Sequence, residues 1–288
     1  TYSLGLSGNY YANIYTDKLF LNSTATLDGG TAGVANLTGE FNVNGVKSIY
    51  IPDQASFGGS MFFGNGGRNL SYVSGTDGKC NNAMGYNALL SNTTGSLNNA
   101  MGYEALRSNT TGVDNNAMGY LAMADNTTGN YNSAQGNSAL RLNKTGIFNS
   151  ALGLLSLYSN NGNYNSGLGT YALNANTTGS NNSAVGSHAG RYIADGSTAN
   201  AITNNSVFIG YGTKALANNQ TNQTVIGYNA IGNGSNTVTI GNSSVTGNFF
   251  SGNIESTTTS AGVILKSPDG TRYKLTIANG GTVTVSAA

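Results

Sequence analysis

The sequence has few of the residues that enzymes use for catalysis. Its 288 residues include no Trp, one Cys, one His and two Pro, and only 8% are charged, against about 25% in typical domains. The single cysteine, Cys80, excludes a disulfide framework within the chain, and His188 alone forms no histidine cluster. The eleven acidic residues are scattered without a recurring pair. We therefore expect no catalytic residues, no metal and no cofactor, and a protein that is not an enzyme.

The small charge also excludes classes of partner. The formal net charge is +1, and no basic patch of the kind that binds phosphates is present. No apolar run approaches the roughly 20 residues that span a bilayer, so we expect neither nucleic-acid binding nor membrane insertion. The hydrophobic fraction of 38% argues against disorder, which needs high charge and low hydrophobicity. Because no leader-like segment opens the chain at Thr1, we expect a processed product or a fragment of a longer protein.

What the chain has in abundance is an internal repeat. The segment NNAMGY recurs at Asn81, Asn98 and Asn115, and the central glycine of the motif recurs every 17 residues from Gly85 to Gly153. Later steps of 16, 17, 24, 17 and 14 residues lead to Gly241. Because Gly, Asn and Thr form helices poorly, the repeat predicts an all-β solenoid in which each copy forms one coil.

Each position in the repeat predicts a local structure. The first Asn suits a turn, and its amide is able to bond backbone groups or stack into a ladder. A small residue then alternates with a large apolar one, which predicts a strand with two unlike faces. The following Ala-Leu pair predicts a second short strand or a turn of helix. The glycine of each Thr-Thr-Gly corner, such as Gly95, is expected to supply a positive φ.

The large apolar residues recur on one edge of every coil. Because the inner face is mostly Ala and Gly, a coil buries little apolar surface alone, and an exposed apolar strip marks a contact surface. We therefore expect self-association along the axis in a cyclic homo-oligomer. Gln135 is the one amide in this position. The residues expected at the core of this oligomer are Met84, Met101, Met118, Leu152, Leu168, Val185, Ile209, Ile226 and Ile240.

The motif N-[NS]-A-[MLV]-G-x-x-A-L followed by NTTG resembles the head repeat of YadA-type trimeric adhesins. This Tyr- and NTTG-rich form also resembles repeats of phage tail fibres, and the resemblance covers about 81–245. It implies a left-handed parallel β-roll, three of which pack into a homotrimeric fibre. The departures are Gln135 and the long step before Gly210.

The flanks of the repeat differ from it, so we divide the chain into three parts. Residues 1–78 lack the 17-residue period and contain β-prone pieces at 10–15, 18–21 and 46–51, which indicates a shaft or base. Residues 79–247 form the roll. Residues 248–288 hold a β-meander tip, whose turns are Pro268-Asp269-Gly270 and Asn279-Gly280-Gly281. The resemblance leaves open whether Ala288 is a natural stop or the cut of a self-cleaving chaperone.

Candidate binding residues lie where the repeat breaks. Residues 190–206 must loop out of the solenoid, and such insertions often bind ligands. We expect receptor contacts there or at the tip, from Arg191, Tyr192, Asp195, Arg272, Tyr273 and Lys274. One Tyr slot is expected either to stack along the roll or to offer platforms for sugars, and it contains Tyr86, Tyr103, Tyr120, Tyr211 and Tyr228. His188 is expected at the surface or between subunits, with a three-fold ion site as the alternative. Cys80 is expected to be a buried or unreactive thiol, with the same alternative.

Three functions remain open at this point. The first is a virion tail fibre that attaches to a host glycan or protein and joins other tail proteins. The second is a bacterial trimeric adhesin at the cell surface. The third is a spike that cleaves glycans, for which Glu104, Asp114 and Asp195 are the carboxylates to replace.

Overall fold

The computed structural model describes residues 26–28, 36–43, 46–51, 61–63, 78–247, 249, 251, 263–267, 269, 271–277, 281 and 283–287. These residues form strands and turns, and no helix occurs among them. The predicted strand at 46–51 is confirmed. The predicted pieces at 10–15 and 18–21 lie outside the described residues. The chain divides into two compact units, Thr1–Asn242 and Ser243–Ala288.

The first unit is built on one long sheet of very short strands. Strands β1 to β4 pair antiparallel, and from β4 onward every neighbouring pair in this sheet is parallel. Strands β12 and β14 form a separate two-stranded parallel sheet. The strands are β1 (Thr26–Asp28), β2 (Asn36–Val43), β3 (Val46–Ile51), β4 (Met61–Phe63), β5 (Asn82–Met84), β6 (Asn99–Met101), β7 (Asn116–Met118), β8 (Ser133–Gln135), β9 (Ser150–Leu152), β10 (Ser166–Leu168), β11 (Ser183–Val185), β12 (Thr203–Asn204), β13 (Val207–Ile209), β14 (Gln220–Thr221), β15 (Thr224–Ile226) and β16 (Val238–Ile240).

The repeat winds into a β-solenoid, as the sequence predicts. Ten successive coils contribute one strand each to the sheet, from β5 to β16. Equivalent residues pair across neighbouring coils, as in Ala83 with Ala100 and Met84 with Met101. The register holds across the 16-residue step, where Gly167 pairs with Ala151. Insertions and deletions are therefore absorbed in the turns, while the strands stay aligned.

The interior of each coil is filled by the small residue of the strand and by the Ala-Leu pair. Ala83 is 2% exposed, and Ala88 and Leu89 are fully buried. The Ala-Leu segment forms neither a second strand nor a helical turn. It forms a chain of turns in which Leu89 has a φ of 51° and donates its N–H to the carbonyl of Ala105. Because these Leu side chains point inward, the interior holds more apolar surface than the Ala/Gly face alone provides.

Two buried columns of asparagine close the interior at its corners. In the first column, Asn98 donates from Nδ2 to Asn81 Oδ1 at 3.1 Å and to the carbonyl of Gly112 at 2.8 Å. The second column was not predicted: Asn109 Nδ2 donates to Asn92 Oδ1 at 2.8 Å. The predicted amide ladder is thus confirmed and doubled. The first column contains Asn81, Asn98, Asn115, Asn132, Asn149, Asn165 and Asn182, and the second contains Asn92, Asn109, Asn126, Asn143, Asn160 and Asn176.

The corner glycines are required for a different reason from the one predicted. Gly112 and its equivalents do not have positive φ. A Cβ on Gly112 would instead lie 2.5 Å from the carbonyl oxygen of Gly129 in the next coil. Positive φ belongs to the central glycines, such as Gly119 at +140°. Close stacking of coils therefore excludes a side chain at the corner.

Irregular coils carry compensating changes in the interior. Gly190 stands where earlier coils have Leu, and the space is taken by the ring of Phe208, which replaces Ala in its strand. Ser156 replaces a buried Ala, and its hydroxyl donates to the carbonyl of Gly167 at 2.9 Å. A Cβ on Gly167 would lie 2.5 Å from that hydroxyl oxygen. Such exchanges of volume keep the interior filled.

The second unit contains the predicted meander. Its strands are β17 (Val263–Lys266), β18 (Arg272–Ile277) and β19 (Val283–Ala287), paired antiparallel in that order. Val263 pairs with Leu275, and Leu275 pairs with Val285. The apolar positions therefore share one face of the sheet.

Replacing a buried ladder residue should destabilise the solenoid much more than replacing its exposed neighbour. Asn115→Ala removes an amide that bonds Asn98, Asn132 and the Gly129 carbonyl. We expect a loss of about 3 kcal/mol, because buried partners are left without hydrogen bonds. Asn116→Ala, on the exposed side of the strand, should cost under about 1 kcal/mol. Urea unfolding measures both, and equal losses would contradict the ladder's role.

Candidate functional site

One face of the long sheet carries a continuous apolar column. The central residue of each strand from β5 to β11 points inward, while the flanking residues point outward. Nine large apolar side chains in the third strand position remain exposed by 36–53%, namely Phe63, Met84, Met101, Met118, Leu152, Leu168, Val185, Ile209 and Ile240. Ile226 is half-buried and Gln135 exposed. We call these eleven residues the apolar column; it contains every residue predicted for the trimer core.

A polar column runs beside the apolar one at the first strand position. It begins with Asn82, whose Nδ2 donates to Asn99 Oδ1 at 2.9 Å, and continues through serines from Ser133 to Ser183. Between the two columns at β4 to β7 lies a shallow groove of about 230 Å³ with Ala83, Ala100 and Ala117 as its floor. The face therefore has an apolar ridge, a groove and a polar ridge.

The slot after the central glycine carries stacked tyrosines, which confirms the stacking prediction. Tyr86, Tyr103 and Tyr120 stack with ring centroids 5.4 and 5.2 Å apart. Tyr211 and Tyr228 stack at 5.6 Å. A sugar binds an aromatic ring through its face, and each ring of these stacks has at least one face covered by a neighbour, with both faces of Tyr103 covered. The geometry thus favours stabilisation of the roll over a row of sugar platforms.

A second aromatic stack lies at the other border of the same face. Tyr131, Phe148 and Tyr164 stack at 4.7 and 5.1 Å with interplanar angles of 6°. Sequence reasoning missed this stack, although the 17- and 16-residue spacings of its members follow the coil period. Cys80 opens the same column. Cys80 is exposed, because its corner position points outward. Of the predicted alternatives, a buried or an unreactive thiol, the buried one is therefore wrong.

The insertion forms a short hairpin on the side of the solenoid. Tyr192 pairs with Ala199, and Asn200 donates its N–H to the carbonyl of Arg191. Asp195 closes the turn by accepting bonds from the N–H groups of Ser197 and Thr198 at 2.8 and 2.7 Å. A hydrogen bond from the Thr198 hydroxyl, together with these two from the backbone, lowers the pKa of Asp195 to about 2. Asp195 therefore has a structural role within the loop.

Arg191 lies among aromatic rings at the base of this hairpin. Its guanidinium carbon is 4.1 Å from the ring centre of Tyr171 and 4.6 Å from that of Tyr192. His188 stacks on Tyr171 at 5.0 Å, and its Nδ1 lies 2.9 Å from the Ser187 hydroxyl. Burial, and secondarily the charge of Arg191, lower the pKa of His188. We call Tyr171, His188, Arg191 and Tyr192 the Arg191 cluster.

The candidate residues of the meander do not share one surface. Arg272 and Lys274 alternate with Tyr273 along β18, so they lie on the opposite face of the sheet from Tyr273. Arg272 pairs with Lys266, and Tyr273 pairs with Leu265. This segment belongs to the second unit, whereas the Arg191 cluster belongs to the first.

The acidic residues named for catalysis are engaged elsewhere or lie apart. Glu104 accepts a bond from Arg107 at 2.6 Å, and Asp125 accepts one from the same guanidinium at 3.2 Å. Asp114 occupies an outward corner in the column that Cys80 opens. Among the described residues, no three His, Cys, Asp or Glu side chains lie together to hold a metal ion. No helix long and apolar enough to cross a bilayer occurs in the described parts.

Comparison with protein-family models, with curated proteins and with solved structures found no match. The fold and the two surfaces therefore rest on the sequence and the geometry of this chain. The two surfaces are the apolar column with its aromatic borders and the Arg191 cluster. Sequence reasoning named Arg191 and Tyr192 but missed Tyr171 as their partner. The 17-residue offset from Tyr171 to His188 was the signal that places them in adjacent coils.

The single histidine offers a direct test of the Arg191 cluster. We expect His188 to titrate by proton NMR with a pKa below the usual 6.5. Below pH 6.5 the unfolded chain then binds the proton more readily than the folded one, so stability falls as the pH decreases. Arg191→Gln should move the pKa of His188 upward, and Arg107→Gln should leave it unchanged. A wild-type pKa at or above 6.5 would contradict this geometry.

Proposed function

We propose that this chain is a structural and adhesive fibre protein, a tail fibre that mediates attachment of a phage to its host. Three copies pack around a common axis, with the apolar column of each turned toward the others. The number three and the left-handed winding follow the resemblance of the repeat to YadA-type heads. In this assembly the solenoid supplies length and rigidity, and the protein performs no catalysis.

The apolar column is the observation that carries the proposal. Its side chains occur at one strand position in eleven neighbouring strands of the sheet, from β4 to β16, and point away from the interior of their own chain. A soluble monomer rarely exposes a contiguous apolar patch of more than a few hundred Å². A second copy in the same orientation presents an identical column at the same spacing. The repeat thus makes every copy of the chain a matching partner for the others.

Covering the apolar column contributes a favourable free energy of the same order as the entropic cost of association. Fully burying a Val, Leu, Ile, Phe or Met side chain contributes about 1.5–3 kcal/mol, so covering a half-exposed one contributes about 1 kcal/mol. Nine such side chains contribute on the order of 9 kcal/mol per chain. The loss of translational and rotational freedom opposes this gain. Many equivalent small contacts, rather than one hot spot, would then hold the fibre together.

Host attachment would take place where the regular coils are interrupted. The hairpin at 190–206 projects polar and aromatic groups from an otherwise uniform surface, and a trimer presents three such loops. Three equivalent weak sites acting together bind a dense surface far more tightly than one site. A location in the virion and contacts with other tail proteins belong to this proposal. Neighbouring genes distinguish it from a bacterial adhesin, because they encode either virion proteins or a secretion system.

Met101→Asp should prevent assembly. Met101 is 47% exposed in the single chain and lies in the middle of the three-methionine stretch of the apolar column. In the trimer the substitution brings unpaired carboxylates into a covered contact, which costs about 3–5 kcal/mol per buried charge. Size-exclusion chromatography with light scattering should show a change from trimer to monomer.

Ser108→Asp is the matched control, because it adds the same charge in the same coil, away from the apolar column. The equivalent position one coil later already holds an aspartate, Asp125. This variant should keep the wild-type mass. If Met101→Asp also keeps it, the apolar column does not form the contact between chains.

A further inference from the structure

We propose that the Arg191 cluster binds an acidic saccharide, with the guanidinium of Arg191 pairing with a carboxylate or phosphate group of the sugar. The inference rests on the proposed function, since it names the chemical class of the surface that the fibre contacts. Among the described residues, no carboxylate oxygen lies within 4.0 Å of the Arg191 guanidinium, so no described carboxylate neutralises its positive charge.

Arg107 shows what a structural arginine looks like in this fold. It occupies the position equivalent to Arg191 five coils earlier, and its guanidinium bonds both Glu104 and Asp125. Arg191 has aromatic rings where Arg107 has carboxylates. The same slot holds three arginines along the solenoid. Arg107 is neutralised, whereas Arg141, 6.0 Å from the ring centre of Tyr158, and Arg191, with two closer rings, have no carboxylate partner among the described residues.

The rings hold the guanidinium without neutralising it. Stacking on Tyr171 and Tyr192 is attractive through cation–π interaction, yet it leaves the N–H groups at the edge of the guanidinium plane. These donors form a planar fork that matches a carboxylate or a phosphate with two parallel hydrogen bonds. Because the arginine is already oriented, less side-chain entropy is lost on binding.

The surroundings favour an anion that also carries hydroxyl groups. Lys214 extends toward the hairpin, where its Cε would lie 3.5 Å from a Cβ on Gly196, and no carboxylate of the described residues pairs with it. Asp195, the one carboxylate in the hairpin, already accepts three hydrogen bonds within its turn. Ser197 and Thr198 are exposed beside it. Arg191 and Lys214 attract an anion, and the Thr198 hydroxyl, which donates to Asp195, still accepts a hydrogen bond from a sugar hydroxyl through its oxygen. Together these groups fit an acidic sugar better than a neutral one.

Binding is tested with defined probes on the intact chain. Trigalacturonate supplies a carboxylate, glucose 6-phosphate supplies a phosphate, and maltotriose is the neutral reference. The proton NMR signals of His188, the only histidine, report binding next to Arg191. We expect a saturable shift with at least one acidic probe and none with maltotriose. Arg191→Gln should weaken binding by roughly tenfold to a hundredfold, as expected for a lost charge-assisted pair, and Arg191→Lys should weaken it less.

Arg107→Gln is the control and should bind as the wild type does, because Arg107 is already paired. Equal affinity in Arg191→Gln, equal binding of maltotriose, or no saturable shift with either acidic probe up to about 10 mM would overturn the proposal. A trimeric protein that binds no probe contradicts this inference alone. A monomeric wild-type chain contradicts the proposed fibre, whatever Arg191 binds.

Discussion

The structure depends on hydrogen bonds that run from each coil to the next in strict register. Each coil is so thin that two asparagines lie inside it, and an unpaired buried amide would cost about 1–3 kcal/mol. Most ladder asparagines are satisfied by the equivalent residue of a neighbouring coil and by a glycine carbonyl, as Asn98 is by Asn81 and Gly112. A single coil therefore cannot fold alone, while a stack of coils satisfies its own interior. The same constraint requires glycine at the corners, where the backbones of adjacent coils meet.

The register also explains which parts of the chain are free to change. The ladder and the glycines fix the turns, whereas outward positions accept Tyr, Asn, Leu, Thr or Ser in the slot after the central glycine. The cost of departing from the repeat is visible at the 16-residue coil. There Asn160 turns its amide to the Gly162 carbonyl, and the buried Oδ1 of Asn143 has no hydrogen-bond partner. The longer coil at 190–206 keeps the strands in register and projects its extra residues as a hairpin.

The sequence was sufficient for the architecture because the repeat is nearly exact. A 17-residue period, alternation in the strand and asparagine at its start predicted the solenoid, the outward apolar column and one amide ladder. The conformation of the Ala-Leu segment was not predictable, because Leu89 and its equivalents adopt a left-handed backbone that costs about 1–2 kcal/mol for an L-residue. Burial of the leucine and a hydrogen bond to the next coil outweigh that cost. The contact of Tyr171 with Arg191 was not predictable either, because it joins two neighbouring coils and depends on how they stack.

The proposed assembly of chains side by side complements the hydrogen bonding along the axis of each chain. The ladders satisfy the chain along its axis, but the apolar column from Phe63 to Ile240 has no cover within its own solenoid. Sedimentation equilibrium of the wild-type chain tests this most directly. We predict a single trimeric species of about 88 kDa, which is three times the mass of the 29.4 kDa chain. This species should not dissociate on dilution to about micromolar concentration. A species of 29.4 kDa under those conditions would contradict the proposed assembly.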